Sequence, residues 1–364
     1  MPYPTWTDTP GARCKLIFDM AVPATPDTAP RLVALGEALI DVVPATPGAS
    51  LADDGLLQPW PGGAPANVAV AAAKLGATSS FVGAVGSDAF GARLRRVLTA
   101  AGVDVSGVVT VDSPTAVAFV ALAADGEREF TFYGRPAAHD MLTAADVEAW
   151  VASRPFTAAD ILHLGSNCLA REPARSASLR AVSLARRAGA GVAFDLNLRL
   201  PLWDQPTKSE VLAAMKSVVE HARLVKLSLD ELEYVTGRRD MAAAEELAAD
   251  LLSGSAELLS VTLGAEGAWY VSRGGRGHVR GFAMDASDTT GAGDAFMGSV
   301  IATSLLEPQT WADTTATEGA LHRACAYAAL STTRPGGFPS YGAGLELNAF
   351  LARHTEEDGG QHGR

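Results

Sequence analysis

Apolar positions follow two rhythms along this chain. Short apolar runs at 32–35, 81–85, 161–164, 192–196, 224–227, 258–263 and 269–271 have the length of buried strands. Between them, apolar residues recur at helical spacing over 64–75, 89–101, 176–188, 209–221 and 241–252. Gly76 and Gly102 stand just past the first two of these helices, where a left-handed residue is favoured. Strand-helix alternation of this kind predicts an α/β fold, a doubly wound, mostly parallel sheet flanked by helices. Residues 37–43 continue extended toward a turn region at 44–48. The rhythm changes between 108 and 133, where 116–123 and 128–133 read as two strands around the turn Ala124-Asp125-Gly126-Glu127. A β-hairpin inside an α/β run predicts an appendage. Residues 295–306 form a longer apolar run that reads as a buried helix.

Composition narrows the class. The chain has 364 residues, 48% of them hydrophobic and 19% charged, which suits a globular protein with a substantial core. One large α/β domain with an appendage fits this length. No uninterrupted apolar run is long enough for a membrane span. Residues 1–30, rich in Pro, Thr and Ala, lack a basic start before an apolar stretch and read as a loose leader rather than a secretory signal. Residues 356–364 read as a polar tail. The formal net charge of −12 disfavours nucleic acid and anionic lipid as partners. Cys14, Cys168 and Cys325 are widely spaced, so neither a disulfide framework nor a zinc site is predicted and a reducing cytoplasm fits.

The densest chemistry lies at Asp288-Thr289-Thr290-Gly291-Ala292-Gly293-Asp294, a glycine-containing turn feeding the apolar run. The first amides of a helix lack intrahelical acceptors and sit at the positive end of its dipole, which suits phosphate oxygens. Asp294 at that place fits an Asp N-cap, and it fits equally a carboxylate that takes a proton from an attacking hydroxyl.

Further motifs occur in a fixed order: Pro61-Gly62-Gly63-Ala64-Pro65-Ala66-Asn67, Asp195-Leu196-Asn197-Leu198-Arg199, Lys226-Leu227-Ser228-Leu229-Asp230-Glu231-Leu232-Glu233 and Val261-Thr262-Leu263-Gly264, then the 288–294 signature. This ordered set, from near Arg31 to near Ser340, resembles the ribokinase-like, or PfkB, family of carbohydrate kinases, and within it the fructokinases. The resemblance implies a ribokinase-like kinase domain over 31–350, with a small β-sheet lid from about 44–60 and 108–136, and a polar tail over 351–364. It implies ATP-dependent transfer of the γ-phosphoryl group to a primary hydroxyl of a monosaccharide, foremost fructose at carbon 6. Other acceptors used in the family, 2-keto-3-deoxygluconate, ribose or a nucleoside, stay open, as does a catalytically silent sugar-binding or scaffold role. A homodimer through the lid is also implied.

Residue by residue, the resemblance makes Asp294 the general base, ionised with an ordinary pKa near 4. Gly291, Ala292 and Gly293 supply amides for the transferring phosphoryl group. Asp41, Gly62, Gly63, Asn67, Asn197 and Arg135 face the sugar. Lys226, Thr262, Gly264 and Gly267 border the nucleotide. Glu231 organises Mg²⁺ through water, with Ser228 where relatives carry Asn, and Asp288 and Thr290 lie by a monovalent-cation site suited to K⁺. One segment departs from the fructokinase pattern. Phe132-Tyr133-Gly134-Arg135-Pro136-Ala137-Ala138-His139-Asp140 carries an apparent one-residue insertion, which leaves the register of Arg135 and the choice of sugar open. His163, His221 and His322 lie in apolar or helical surroundings and read as structural. No Walker A pattern is present and no G-x-G-x-x-G follows a strand, which weighs against P-loop and dinucleotide-dependent enzymes.

Overall fold

Parallel pairing around the first strand sets the frame. In the computed structural model, which describes residues 29–360 except 47, 48, 50, 123–127 and 134–135, β1 (Arg31–Leu35) leads through a three-residue connection into β2 (Leu39–Pro44). After β3 (Leu57–Gly62) and α1 (Ala64–Lys74) come β4 (Thr78–Gly86), α2 (Ala89–Ala100), β5 (Val103–Val111) and the hairpin of β6 (Val117–Leu122) and β7 (Arg128–Tyr133). Then follow α3 (Ala144–Ser153), β8 (Ile161–Gly165), α4 (Ala174–Arg187), β9 (Gly191–Asp195), α5 (Lys208–Val219), β10 (Leu224–Ser228), α6 (Leu229–Thr236) and α7 (Met241–Leu252). The chain closes with β11 (Leu258–Thr262), β12 (Gly267–Ser272), β13 (Gly275–Arg280), α8 (Ala292–Leu306), α9 (Thr314–Ser331) and α10 (Gly344–Gly360).

Nine strands form the main sheet in the order β13-β12-β11-β10-β9-β8-β1-β4-β5. Pairing is parallel from β11 to β5, whereas β12 and β13 are antiparallel. Each parallel crossover places a helix on a sheet face, so both faces are covered and the strands read as continuous apolar runs. One core lies between the sheet and α1, α8, α9 and α10, through Phe81, Met297, Tyr327 and Phe350. The other lies between the sheet and α3–α7, through Trp150, Phe194, Met215 and Leu232. The strand order reverses between β8 and β1. At such a switch point the crossovers leave on opposite faces, and a crevice opens beyond the carboxyl ends of the strands.

A second sheet, β3-β2-β6-β7, stands apart from the first. The expected hairpin is present, with β6 and β7 antiparallel from Val117↔Tyr133 to Leu122↔Arg128. Two expectations about the appendage need correction. Residues 108–111 belong to β5, hydrogen-bonded to β4 in the main sheet, so the hairpin's contribution to the small sheet starts with β6. One of its two inner strands is β2, which begins before residue 44 and pairs with both β3 and β6. The apolar alternation Val103-Val105-Val109 suits either sheet, and only the partner strand decides. At the far end, α10 runs to Gly360 and takes in part of the stretch read as a tail, because Leu347 and Phe350 pack into the core. The leader as far as residue 28, the turn 124–127, Arg135 and residues 361–364 lie outside the described residues.

α8 is buried on every side, from Ala295 to Ala302, as an uninterrupted apolar helix must be. It crosses α1 closely: a Cβ on Gly298 would lie 2.6 Å from the Ala71 Cβ and 3.2 Å from the Ala72 nitrogen. Interiors this dense do not absorb an extra methyl without backbone shifts. Gly298→Ala should therefore destabilise the protein by about 1–3 kcal/mol despite alanine's better helix propensity. Denaturant unfolding would check this, with the midpoint falling at an unchanged slope; a raised midpoint would contradict the close crossing.

Candidate active site

The crevice at the switch point is a cavity of about 400 Å³. It adjoins a second cavity of about 220 Å³, and both are lined by Thr262, Thr289 and Gly293. The first is polar. The second is walled by Phe282, Met284, Phe296, Cys325 and Ala329, with Gly264 and Gly267 at its rim.

One wall of the larger cavity comes from the loop that feeds α1. Gly63 is its N-cap at φ 103, and a Cβ there would fall 2.5 Å from the Glu37 carbonyl oxygen. Glycine alone permits that approach. A Cβ on Gly62 would overlap the Asp41 carboxylate, 2.0 Å from Oδ2. Asp41 lies within β2, buried, opposite Trp60. Asn67 Nδ2 donates to Asp294 Oδ2 at 2.7 Å.

The opposite wall is the start of α8. Gly291 is its N-cap in the left-handed region at φ 78, and Tyr341 Oη donates to the Gly291 carbonyl at 2.9 Å. Asp294 is the third helical residue and its side chain caps nothing. The Ala292 amide already donates to the Thr289 carbonyl at 3.3 Å, so it is a poorer anion donor than expected. Asp294 is 7% exposed, and its pKa is raised to about 7. Burial is the main cause and the nearby Asp195 charge the next, outweighing the Asn67 hydrogen bond and the Lys226 and Arg199 charges. The expectation of an ordinary pKa near 4 is thus overturned. Sequence could not reveal it, since desolvation is set by packing.

Lys226 is anchored by an ion pair across the sheet. Its Nζ donates to both Asp195 oxygens, at 2.9 and 2.8 Å, and a Cβ on Gly293 would lie 3.0 Å from that nitrogen. It lines the polar cavity, under the α8 turn, and not the apolar one. Burial disfavours its charge, but Asp195, Glu231 and Asp294 outweigh that and hold its pKa above the usual lysine range. Ser228 and Glu231 form a capping box on α6: Glu231 Oε2 accepts from the Ser228 amide at 2.7 Å and the Glu231 amide donates to Ser228 Oγ at 3.2 Å. Glu231 Oε1 accepts from the Leu198 amide at 2.6 Å. That bond fixes the strained turn after β9, where Asn197 sits at φ 35 and lines the cavity. Asp288 clamps two loops, with Oδ1 accepting from Thr290 N at 2.9 Å and Oδ2 from Gly336 N at 2.8 Å.

His163 is buried in β8, where desolvation lowers its pKa to about 3, and His322 stacks on Phe282 with ring centres 4.9 Å apart. Both fit the structural reading. Three cavity residues went unnoticed in the sequence: Glu37, Asn167 and His139. Glu37 and Asn167 lie in connections with no motif to mark them, whereas His139 lies in the 132–140 segment, whose register the sequence left open. A carboxyl that titrates near neutrality beside unpaired helix amides can exchange a proton with a neighbouring hydroxyl while the amides hold an anion.

Residues 29–341 match the pfkB family of carbohydrate kinases. The chain belongs to that family. Among curated relatives, fructokinase-1 of Oryza sativa subsp. japonica is 41% identical over 317 residues, spanning 87% of this chain and 96% of the relative. Among solved structures, fructokinase from Vibrio cholerae O395, with fructose, ADP and a calcium ion bound, superposes with a TM-score of 0.79 at 33% identity, covering 90% of this chain and 100% of that one. Aminoimidazole riboside kinase from Salmonella enterica superposes with a TM-score of 0.74 at 30% identity, over 88% of this chain and 99% of its own. The protein is a carbohydrate kinase of ribokinase-like fold.

In this kinase the raised Asp294 pKa predicts a stability signature. Its folded pKa of about 7 exceeds the ordinary 3.8, so the folded state holds the proton more tightly. The stabilisation is complete below about pH 4 and is lost as pH rises toward 7. Relative to wild type, Asp294→Asn should gain stability progressively between about pH 4 and pH 7, read from denaturant midpoints. A difference that stays flat across that range would contradict the raised pKa.

Proposed function

We propose that this kinase transfers the γ-phosphoryl group of magnesium-ATP to the 6-hydroxyl of fructose. The observation that carries the reading is the 2.7 Å hydrogen bond from Asn67 to Asp294, which joins the Gly62-Gly63 loop to the carboxylate at the head of α8. In this reading fructose lies in the polar cavity against Asp41, Gly62, Gly63, Asn67 and Asn197. Asp294 takes the proton of the attacking hydroxyl. Transfer through a loose transition state needs little prior activation of that hydroxyl, so positioning and charge stabilisation carry most of the catalysis. Amides of Gly291 and Gly293, with Ala292 a lesser donor, meet charge developing on the phosphoryl oxygens. The nucleotide passes Thr262 and lays its base in the apolar cavity by Gly264 and Gly267.

The donor set also suits magnesium held at one remove. Among the described residues no group of three or more His, Cys, Asp or Glu side chains is arranged to hold a metal. Both Glu231 oxygens already accept amide hydrogens, so Glu231 would reach the ion through water, as magnesium's tight hydration favours. Magnesium would neutralise phosphate charge. Asp288 and Thr290 are proposed to border a potassium ion, whose absence would loosen the clamped loops. The setting proposed is the cytoplasm, consistent with free, buried Cys168 and Cys325. Exposed Leu57 and Tyr133 on the small sheet support a homodimer formed through that sheet.

ADP release across a sugar panel tests the core of this reading, and fructose should stimulate it most. Strong stimulation by ribose, a nucleoside or 2-keto-3-deoxygluconate without stimulation by fructose would remove the fructose assignment. Asp294→Ala should lower turnover about 10²-fold or more with sugar affinity largely kept; near-normal turnover would remove Asp294 from the mechanism. Replacing potassium by tetramethylammonium should reduce turnover, and an unchanged rate would remove the monovalent ion. Sedimentation should show a dimer that Leu57→Asp with Tyr133→Asp dissociates; a wild-type monomer would exclude it.

A further inference from the structure

Glu37 and Asn167 extend from the carboxyl ends of β1 and β8, the two strands that flank the switch point, into the polar cavity. Glu37 is only 5% exposed, and its Oε1 accepts one long hydrogen bond, from Asn167 Nδ2 at 3.3 Å. A buried carboxylate ordinarily gathers several donors, since desolvation is costly. Beside it, Asn167 Oδ1 and His139 Nδ1 are buried without partners among the described residues. In native interiors such atoms are completed by ordered water, an ion or a ligand. The connection that holds Glu37 is rigid: the Gly36 amide donates to the Val82 carbonyl at 3.1 Å, and Gly63 packs on the Glu37 backbone.

We propose that Glu37, oriented by Asn167, is a specificity-determining residue that accepts a hydroxyl of the acceptor sugar and disfavours acidic sugars. The inference rests on the sugar-acceptor reading above and adds a substrate class to it. Glu37 and Asn167 Oδ1 are both acceptors, so the group that satisfies them must donate. A hydroxyl does so; a carboxylate cannot. Asp41 adds another acceptor to the same cavity. Of the two cations that line the cavity, Lys226 is paired with Asp195, and Arg199 donates to the Leu198 carbonyl. His139 Nε2 stands 3.6 Å from Asp140. The corner at Glu37 and Asn167 is therefore built to accept a hydroxyl.

Steady-state kinetics with fructose, deoxyfructoses each lacking one hydroxyl, and 2-keto-3-deoxygluconate test this. Glu37→Gln should raise KM for fructose about 10- to 100-fold, the usual worth of a hydrogen bond to a charged group, with kcat within about threefold and KM for ATP unchanged. One deoxyfructose should lose the same factor in wild type and little more in the variant. Preference for fructose over the acidic sugar should shrink at least about tenfold. Asn167→Ala, at a less buried position, should reproduce part of the KM change should the glutamine variant not fold. Fructose turnover with unchanged KM in both variants overturns the assignment of Glu37 alone. So does a fall in thermal midpoint accompanied by a matching rise in KM for ATP, the mark of a structural role. Wild type stimulated by 2-keto-3-deoxygluconate and not by fructose overturns the assignment together with the fructose reading. A Glu37-dependent KM for ribose or a nucleoside upholds the hydroxyl contact while fructose alone fails.

Discussion

A buried carboxylate at the head of a buried helix is the constraint around which this protein is organised. Asp294 has a single side-chain amide for company, and that amide, Asn67, comes from α1, 227 residues earlier. The two helices therefore have to lie close and in fixed register. Small residues at the crossing, Gly298 against Ala71, allow it. Packing and chemistry are the same problem here, since a shift of either helix moves the amide from the carboxylate. Deep burial raises the electrostatic stakes of each such contact.

The charges below the α8 turn balance one another in that low dielectric. Asp195 and Lys226 neutralise each other through two hydrogen bonds, and Glu231 and Asp294 help keep the ammonium charged. Asp195 in turn pushes the Asp294 proton up while Lys226 and Arg199 pull it down. The result is a carboxyl poised near neutrality, where proton acceptance and release are closest to balanced. Replacing one member of such a set changes the others, so single substitutions will not report separable contributions.

The small sheet adds a second kind of constraint. β2 continues directly from β1 and carries Asp41, while its neighbour β3 ends at Gly62, so one two-stranded pairing aligns a carboxylate with the loop it must clear. Trp60 from β3 packs on Gly336, whose amide binds Asp288. The small sheet is thereby tied to the loops around the α8 turn.

Local pattern was enough to read the strand-helix alternation, the hairpin of β6 and β7, and the glycine turns before α1 and α8, because periodicity and turn chemistry act over a few residues. It also brought Asp294 forward as a candidate, a carboxylate at a glycine turn, whereas Asp41 and Asn67 came forward only through the ordered motifs that resemble the family. Strand partnership was beyond it: the valines of β5 suit either sheet until β4 claims them. The pairing of Lys226 with Asp195, the bond from the Leu198 amide to Glu231 and the raised pKa of Asp294 depend on distances across the sheet and on the exclusion of water. Glu37 and Asn167 meet across 130 residues at the point where the strand order reverses. No local property of the chain encodes that meeting, because only the closed sheet brings those two strand ends side by side.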